Sequence, residues 1–264
     1  MISKDNYALV KKAIKVHGNL KGRTYLILYK TSAKHKAKAM EASILEENFW
    51  HLVGCKINDS LALSPKQKHQ LYQDCLADKD ISASLVYTRQ AQDVAKKANV
   101  VISMFDFVDN AKTIRLCHTD GTPEAAMFRV GAGSNNGVIG YSYEDKGMIP
   151  KTAQQKSIFK IKVDANDKIF LVISKPYGNE EYDRLDYVIS PKIFPDILKE
   201  FPKGILYKKS ILKIVSDNDT ASSSANKSSK MEAFARLEIS RKNTTESIDF
   251  EKEREDAMNE KYGV

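Results

Sequence analysis

The sequence predicts an α+β protein with a substantially antiparallel sheet and a helical C-terminal appendage. Three observations predict it. Apolar residues recur at helical spacing through about the first hundred residues. From there to about residue 175, short apolar runs alternate with Gly, Asn and Asp turn signals. At Asp217 the composition changes abruptly to small and polar residues.

Taken in order, a first helix is expected from about Ser3 to His17, because Tyr7, Val10, Ile14 and His17 fall on one face and Gly18 follows as a stop. Arg23 to Lys30 (RTYLILYK) is an apolar, aromatic run of strand length. Lys34 to Lys38 is a basic loop, and Ala42 to Val53 is apolar and fits either a strand or a helix. Leu63-Ser64-Pro65 opens a helix that runs to about Ala77, with proline at its first position, and another helix covers Arg89 to Ala98. Val100 to Val108, Thr113 to Thr119, Ala125 to Val130, Val138 to Tyr143, Ser157 to Val163 and Lys168 to Ser174 read as strands. Asn136-Gly137 is a hairpin turn between two of them. A short helix around Pro191 to Glu200 and a strand from Ile205 to Val215 complete the body.

Residues 1–216 thus form the α+β domain, and residues 217–230 (DNDTASSSANKSSK) form a flexible Ser/Asn-rich linker that lacks the apolar surface to offset its ordering entropy. Residues 231–264 form an acidic tail of two short helices, Met231 to Arg241 and Phe250 to Tyr262, the second N-capped by Asp249. From residue 217 onward there are 8 basic and 11 acidic side chains, a net of −3, which leaves +11 on residues 1–216. Neither tail helix buries enough to fold alone. The tail therefore needs a surface, on its own basic body or on another molecule.

The whole chain of 264 residues carries a net charge of +8, which favours anionic partners such as nucleic acid. No apolar run approaches the roughly 18 residues of a membrane span, and Met1-Ile2-Ser3-Lys4-Asp5 opens no signal peptide. Cys55, Cys75 and Cys117 form no Cys-x-x-Cys pair, so neither a disulfide framework nor a thiolate zinc site is expected. The expected compartment is the cytoplasm. Gly131 to Gly137 has neither the dinucleotide nor the Walker spacing and leads into a strand, so it reads as a hairpin and not as a phosphate loop. The five histidines (17, 35, 51, 69 and 118) lack zinc-hydrolase spacing, and neither a metal nor a cofactor is expected. His17 and His69 read as surface or boundary residues of helices, and His118 as a structural residue at a strand end.

Phe49-Trp50-His51-Leu52-Val53-Gly54 places an imidazole beside the only tryptophan. On pattern alone His51 is either a hydrogen-bonded core histidine or a reactive one. Phe-x-His-Leu-x-Gly follows a strand opening with Arg23-Thr24-Tyr25-Leu26, and Gly140-Tyr141 and Pro150-Lys151-Thr152 come after it. This ordered series resembles the fourth phage-associated group of the barnase–EndoU–colicin–RelE-like nucleases, found in phages and mobile elements of Gram-positive bacteria. The resemblance spans roughly residues 5–215. The stretch between Ala77 and Thr119 departs from the pattern and reads as an insertion.

The resemblance implies N-terminal helices packed on a curved, mainly antiparallel sheet, and metal-independent cleavage of RNA. Such cleavage uses the 2′-hydroxyl as nucleophile, with a base to take its proton, an acid for the leaving oxygen and cations for the phosphorane. His51 is the expected base or acid, and Arg23 the phosphate clamp. Lys151 and Thr152 are expected to hold the same phosphate, with Lys56 as a secondary cation. Arg23 reads equally as a surface charge at a strand start, and Thr152 as a turn hydroxyl. Tyr141 and Tyr143 alternate along one strand, either stacking RNA bases or forming a sheet face in the core. The acidic tail is a candidate restraint on the basic body. The alternative to an enzyme is an inactive RNA- or protein-binding module of the same fold.

Overall fold

The structure, a computed structural model, describes residues 1–31, 36–145, 147–190, 202, 204–208 and 211. The expected helix at 191–200, the linker and the acidic tail lie outside the described residues. Of the expected strand at 205–215, the described part shows one isolated bridge, between Tyr207 and Tyr182.

Helix α1 (Lys4–Leu20) starts where Ser3 caps it by accepting the Asn6 N–H, and it buries Tyr7, Val10, Ala13, Ile14 and His17 on the expected face. It passes Gly18, which lies close against Leu76, and the chain turns instead at Gly22 with φ of +74°. Strand β1 (Arg23–Lys30) is buried along both faces, as its unbroken apolar run requires. The ambiguous segment resolves into strand β2 (Lys38–Ile44) and helix α2 (Glu46–Leu52). Strand β3 (Cys55–Ile57) then leads to helix α3 (Pro65–Leu76), opened by a Ser64/Gln67 capping box. Strand β4 (Leu85–Tyr87) pairs antiparallel with β3 in a small separate sheet. Helix α4 (Ala91–Met104) runs six residues beyond its expected end and absorbs much of the expected strand at 100–108. The β-branched run there misleads. Val94, Ala98 and Val101 recur at helical spacing and are buried, so tertiary packing overrides local strand preference.

Six further strands complete the main sheet: β5 (Arg115–His118), β6 (Val130–Gly133), β7 (Val138–Glu144), β8 (Gly147–Gln154), β9 (Asp167–Pro176) and β10 (Arg184–Val188). A single turn of helix, α5 (Ile158–Ile161), replaces the expected strand at 157–163, because Ile158 and Ile161 are both buried on one face. The expected strand at 125–130 shifts into the glycine-rich stretch, and the hairpin turns at 134–137 as expected. The strands run in the order β1-β2-β8-β7-β6-β5-β9-β10, and β1 also pairs with β9. The curved sheet therefore closes into a barrel of seven strands, with β10 attached outside the ring. Its pairings are antiparallel except at β2–β8, where Ala42 opposes Met148 in parallel. Closure leaves few free edges.

Strand β8 carries Pro150, an unfavourable residue inside a sheet, and its place in the ladder explains the tolerance. Tyr141 pairs with Pro150 and Gly140 with Thr152, so Lys151 is an extra residue skipped by the backbone ladder to β7. This is a β-bulge, a device that re-aims side chains. The largest core joins α1 to α4 with one side of the sheet, including Tyr25, Ile27, Ile139 and Tyr141. A second cluster covers Leu26, Leu28, Phe170 and Ile173 on the other face of β1 and β9. Among the described residues no helix is long and apolar enough to cross a membrane.

Candidate active site

Helix α2 ends in the motif that contains His51. Phe49, Trp50, Leu52 and Val53 are buried, while His51 between them is exposed. The histidine is therefore outside the core. Gly54 ends the helix with φ of +74°; its N–H donates to the His51 carbonyl and its own carbonyl accepts the Thr88 N–H. A Cβ on Gly54 would stand 3.2 Å from Cδ of Lys97 and 3.6 Å from the Asp93 carbonyl group. Glycine at this position thus lets α4 come in close and brings Lys97 to the side of His51.

A cavity of about 410 Å³ opens at this junction, lined by His51, Thr88, Arg89, Asp93, Lys97, Lys151 and Thr152 among others. Burial lowers the His51 pKa below its usual 6.5, and Lys97, Lys151 and Arg89 lower it further by repulsion. The imidazole is consequently neutral at pH 7. Lys97 is half-buried and its pKa is lowered as well, first by desolvation and then by Arg89, with Asp93 opposing. Lys151 pairs with Glu144. Arg89 makes no hydrogen bond or ion pair among the described residues. Arg89, Lys97 and Lys151 outnumber the carboxylates of Asp93 and of the Glu144 that pairs with Lys151, which leaves the cavity a small excess of positive charge.

A larger cavity of about 740 Å³ lies beside it and has His51 and Thr88 in its wall too. Lys56 lines this second cavity and pairs with Asp59.

Of the residues expected from the sequence, His51, Lys151 and Thr152 meet in one cavity. The bulge explains how Lys151 and Thr152, adjacent along a strand, both reach it. Arg23 is elsewhere. Its Nε donates to Ser174 Oγ at 2.9 Å, and its terminal nitrogen donates to the Ser174 carbonyl at 3.1 Å and pairs with Asp183. It lines neither cavity and instead ties β1 to β9 and to the approach to β10. Tyr141 is 1% exposed and offers no ring face to a base, so its strand position serves the core. Tyr143 is 72% exposed but lines neither cavity.

His17 also departs from expectation. It is fully buried among Phe49, Tyr72 and Phe105, with its Nδ1 2.7 Å from the Tyr72 hydroxyl, and desolvation pushes its pKa down to about 3. His69 bonds Glu46 at 2.6 Å, and His118 bonds the Tyr29 hydroxyl at 2.9 Å. All three cysteines are buried, and desolvation raises their thiols to about 12 for Cys55 and about 11 for Cys75 and Cys117, as inert core thiols require.

Arg89, Lys97 and Thr88 went unread in the sequence. They belong to the stretch that looked like an insertion, and the one local signal was the Asp93/Lys97 pair at helical i,i+4 spacing. Among the described residues no three His, Cys, Asp or Glu side chains gather as a metal-ligand group.

No curated protein and no solved structure matches the chain. A family profile does, over residues 9–190, more than two thirds of the length, in a span that includes α2, α4 and the bulge of β8. The chain belongs to the phage-Barnase-EndoU-ColicinE5/D-RelE like nuclease4 family.

Proposed function

We propose that this nuclease-family protein cleaves RNA at the cationic cavity beside His51, through the 2′-hydroxyl and by general acid–base catalysis. The observation that carries this reading is a solvent-accessible imidazole, its pKa lowered by partial desolvation and by three neighbouring cations, in the wall of a cavity with an excess of positive charge. A neutral imidazole is ready to accept a proton at pH 7. His51 takes the 2′-OH proton, the 2′-oxygen attacks phosphorus, and the bond from phosphorus to the 5′-oxygen breaks. The products are a 2′,3′-cyclic phosphate and a 5′-hydroxyl. Lys97, whose ammonium is weakened by desolvation, supplies the proton for the leaving oxygen. Arg89 holds the phosphate and its developing charge, Lys151 joins it by exchanging its Glu144 partner for the phosphate, and the Thr152 hydroxyl donates to a non-bridging oxygen. The positive balance of the cavity suits a bare phosphodiester better than a metal-bound one.

The test is cleavage of cellular RNA in EDTA by the full chain, His51→Ala and Lys97→Ala, with end-group analysis of the fragments. The expected result is 2′,3′-cyclic ends from the wild type and strongly reduced cleavage by both variants. Binding of RNA without cleavage would instead identify an inactive RNA-binding member of the family. Undiminished cleavage by His51→Ala would remove the histidine from the mechanism.

A further inference from the structure

We propose that the larger cavity, on the other side of His51, is a nucleobase subsite that receives the base of the nucleotide whose 2′-hydroxyl attacks. This rests on the smaller cavity holding the scissile phosphate. The two cavities differ in chemistry. The smaller one has an excess of cations. The larger one offsets Lys56 and Lys68 with Glu46, Glu47 and Asp59, and its remaining wall includes Leu63, Pro65 and Asn58, with the buried Trp50 and Tyr72 behind them. Many of its charges are already matched: Glu46 with Lys21 and His69, and Lys56 with Asp59. A charge-compensated, partly apolar wall suits a planar, uncharged group with polar edges.

RNA has the same alternation. Each nucleotide places a charged phosphate and a flat base on either side of a ribose. His51 and Thr88 are shared by both cavities, so the ribose belongs at their junction, where His51 meets the 2′-hydroxyl. With the phosphate in the cationic cavity, the base on that same ribose enters the larger one. Asn58 lines it, and its Oδ1 already accepts the Ser60 N–H at 3.1 Å, which leaves its NH₂ group to donate to a base carbonyl.

Trp50 is the only tryptophan in the chain and it lines this cavity, so its fluorescence reports occupancy directly. The full chain is titrated with the four nucleoside 3′-monophosphates, with ribose 3-phosphate and with inorganic phosphate. At least one nucleotide is expected to quench Trp50 saturably and to bind about tenfold or more tighter than ribose 3-phosphate, because only the nucleotide carries a base to fill the larger cavity. Inorganic phosphate is expected to compete without quenching, and Asn58→Ala to narrow the spread among the four nucleotides. In parallel, cleavage is compared between a short RNA and the same RNA made abasic at the attacking nucleotide, with a loss of about tenfold expected.

Equal binding of nucleotide and ribose phosphate with no change in fluorescence would overturn the subsite. Equal cleavage of the intact and abasic RNA would also overturn it while leaving the nuclease reading in place. Tight, base-dependent quenching by a protein that cleaves no RNA would uphold a base site and overturn catalysis.

Discussion

Two arginines, one opening a barrel strand and one preceding a helix, show how this protein divides its charges. Arg23, at the start of β1, is spent internally on Ser174 and Asp183. Arg89, just before α4, has no such partner among the described residues and lines the smaller cavity. A matched cation holds the fold, whereas an unmatched one is available to a ligand. Two histidines draw the same contrast. His17 is sealed in an aromatic cluster and cannot meet solvent, while His51, on the neighbouring helix, is the one exposed residue in a buried run. Charge and residue type were alike in each pair. Position in the tertiary structure set them apart.

The largest expected effect tests the histidines for chemistry. His51→Ala should reduce RNA cleavage by about 10²- to 10⁴-fold, the usual contribution of a general base, with the thermal midpoint nearly unchanged. A variant that both unfolds and loses activity would instead place His51 with His17. The second test uses acid. His17 has a folded pKa of about 3 against about 6.5 when unfolded, so the unfolded chain binds more protons between those values. Stability is therefore intact above about pH 6.5 and falls as the pH drops toward 3, by up to about 1.4 kcal/mol per unit. Denaturant melts over this range should show that slope, and a volume-matched neutral replacement of His17 should flatten it.

The arginine comparison predicts smaller effects of opposite kinds. Arg23→Ala should cost about 1–3 kcal/mol of stability, because Asp183 and Ser174 lose their half-buried partner, and should leave the activity of the folded fraction almost intact. Arg89→Ala should leave stability within about 0.5 kcal/mol. It should weaken RNA binding and reduce the salt-dependence slope by about 0.7, one single-strand phosphate contact. Exchange of these outcomes would reverse the assignment of structural and binding arginine. The smallest effect is spectroscopic: the His51 imidazole should titrate below 6.5 by NMR, and Lys97→Gln should move its pKa upward by removing one repelling charge.

What the sequence determined by itself was local. Ser3 and the Ser64/Gln67 box set helix starts through contacts within one turn, the apolar run 23–30 set a doubly buried strand, and the 134–137 turn set a hairpin. The motif around His51 was legible too, because Gly54 ends the helix three residues past it at positive φ. Periodicity states which face of an element is buried but not what it is buried against. Closure of the sheet into a barrel, the bulge that re-aims Lys151, and the approach of α4 to Gly54 depend on residues far apart in the chain. The contact of Arg23 with Asp183 spans 160 residues. An ion pair over that distance is fixed by the packing of whole strands, so only the tertiary structure decided which cations are matched and which are left facing a cavity.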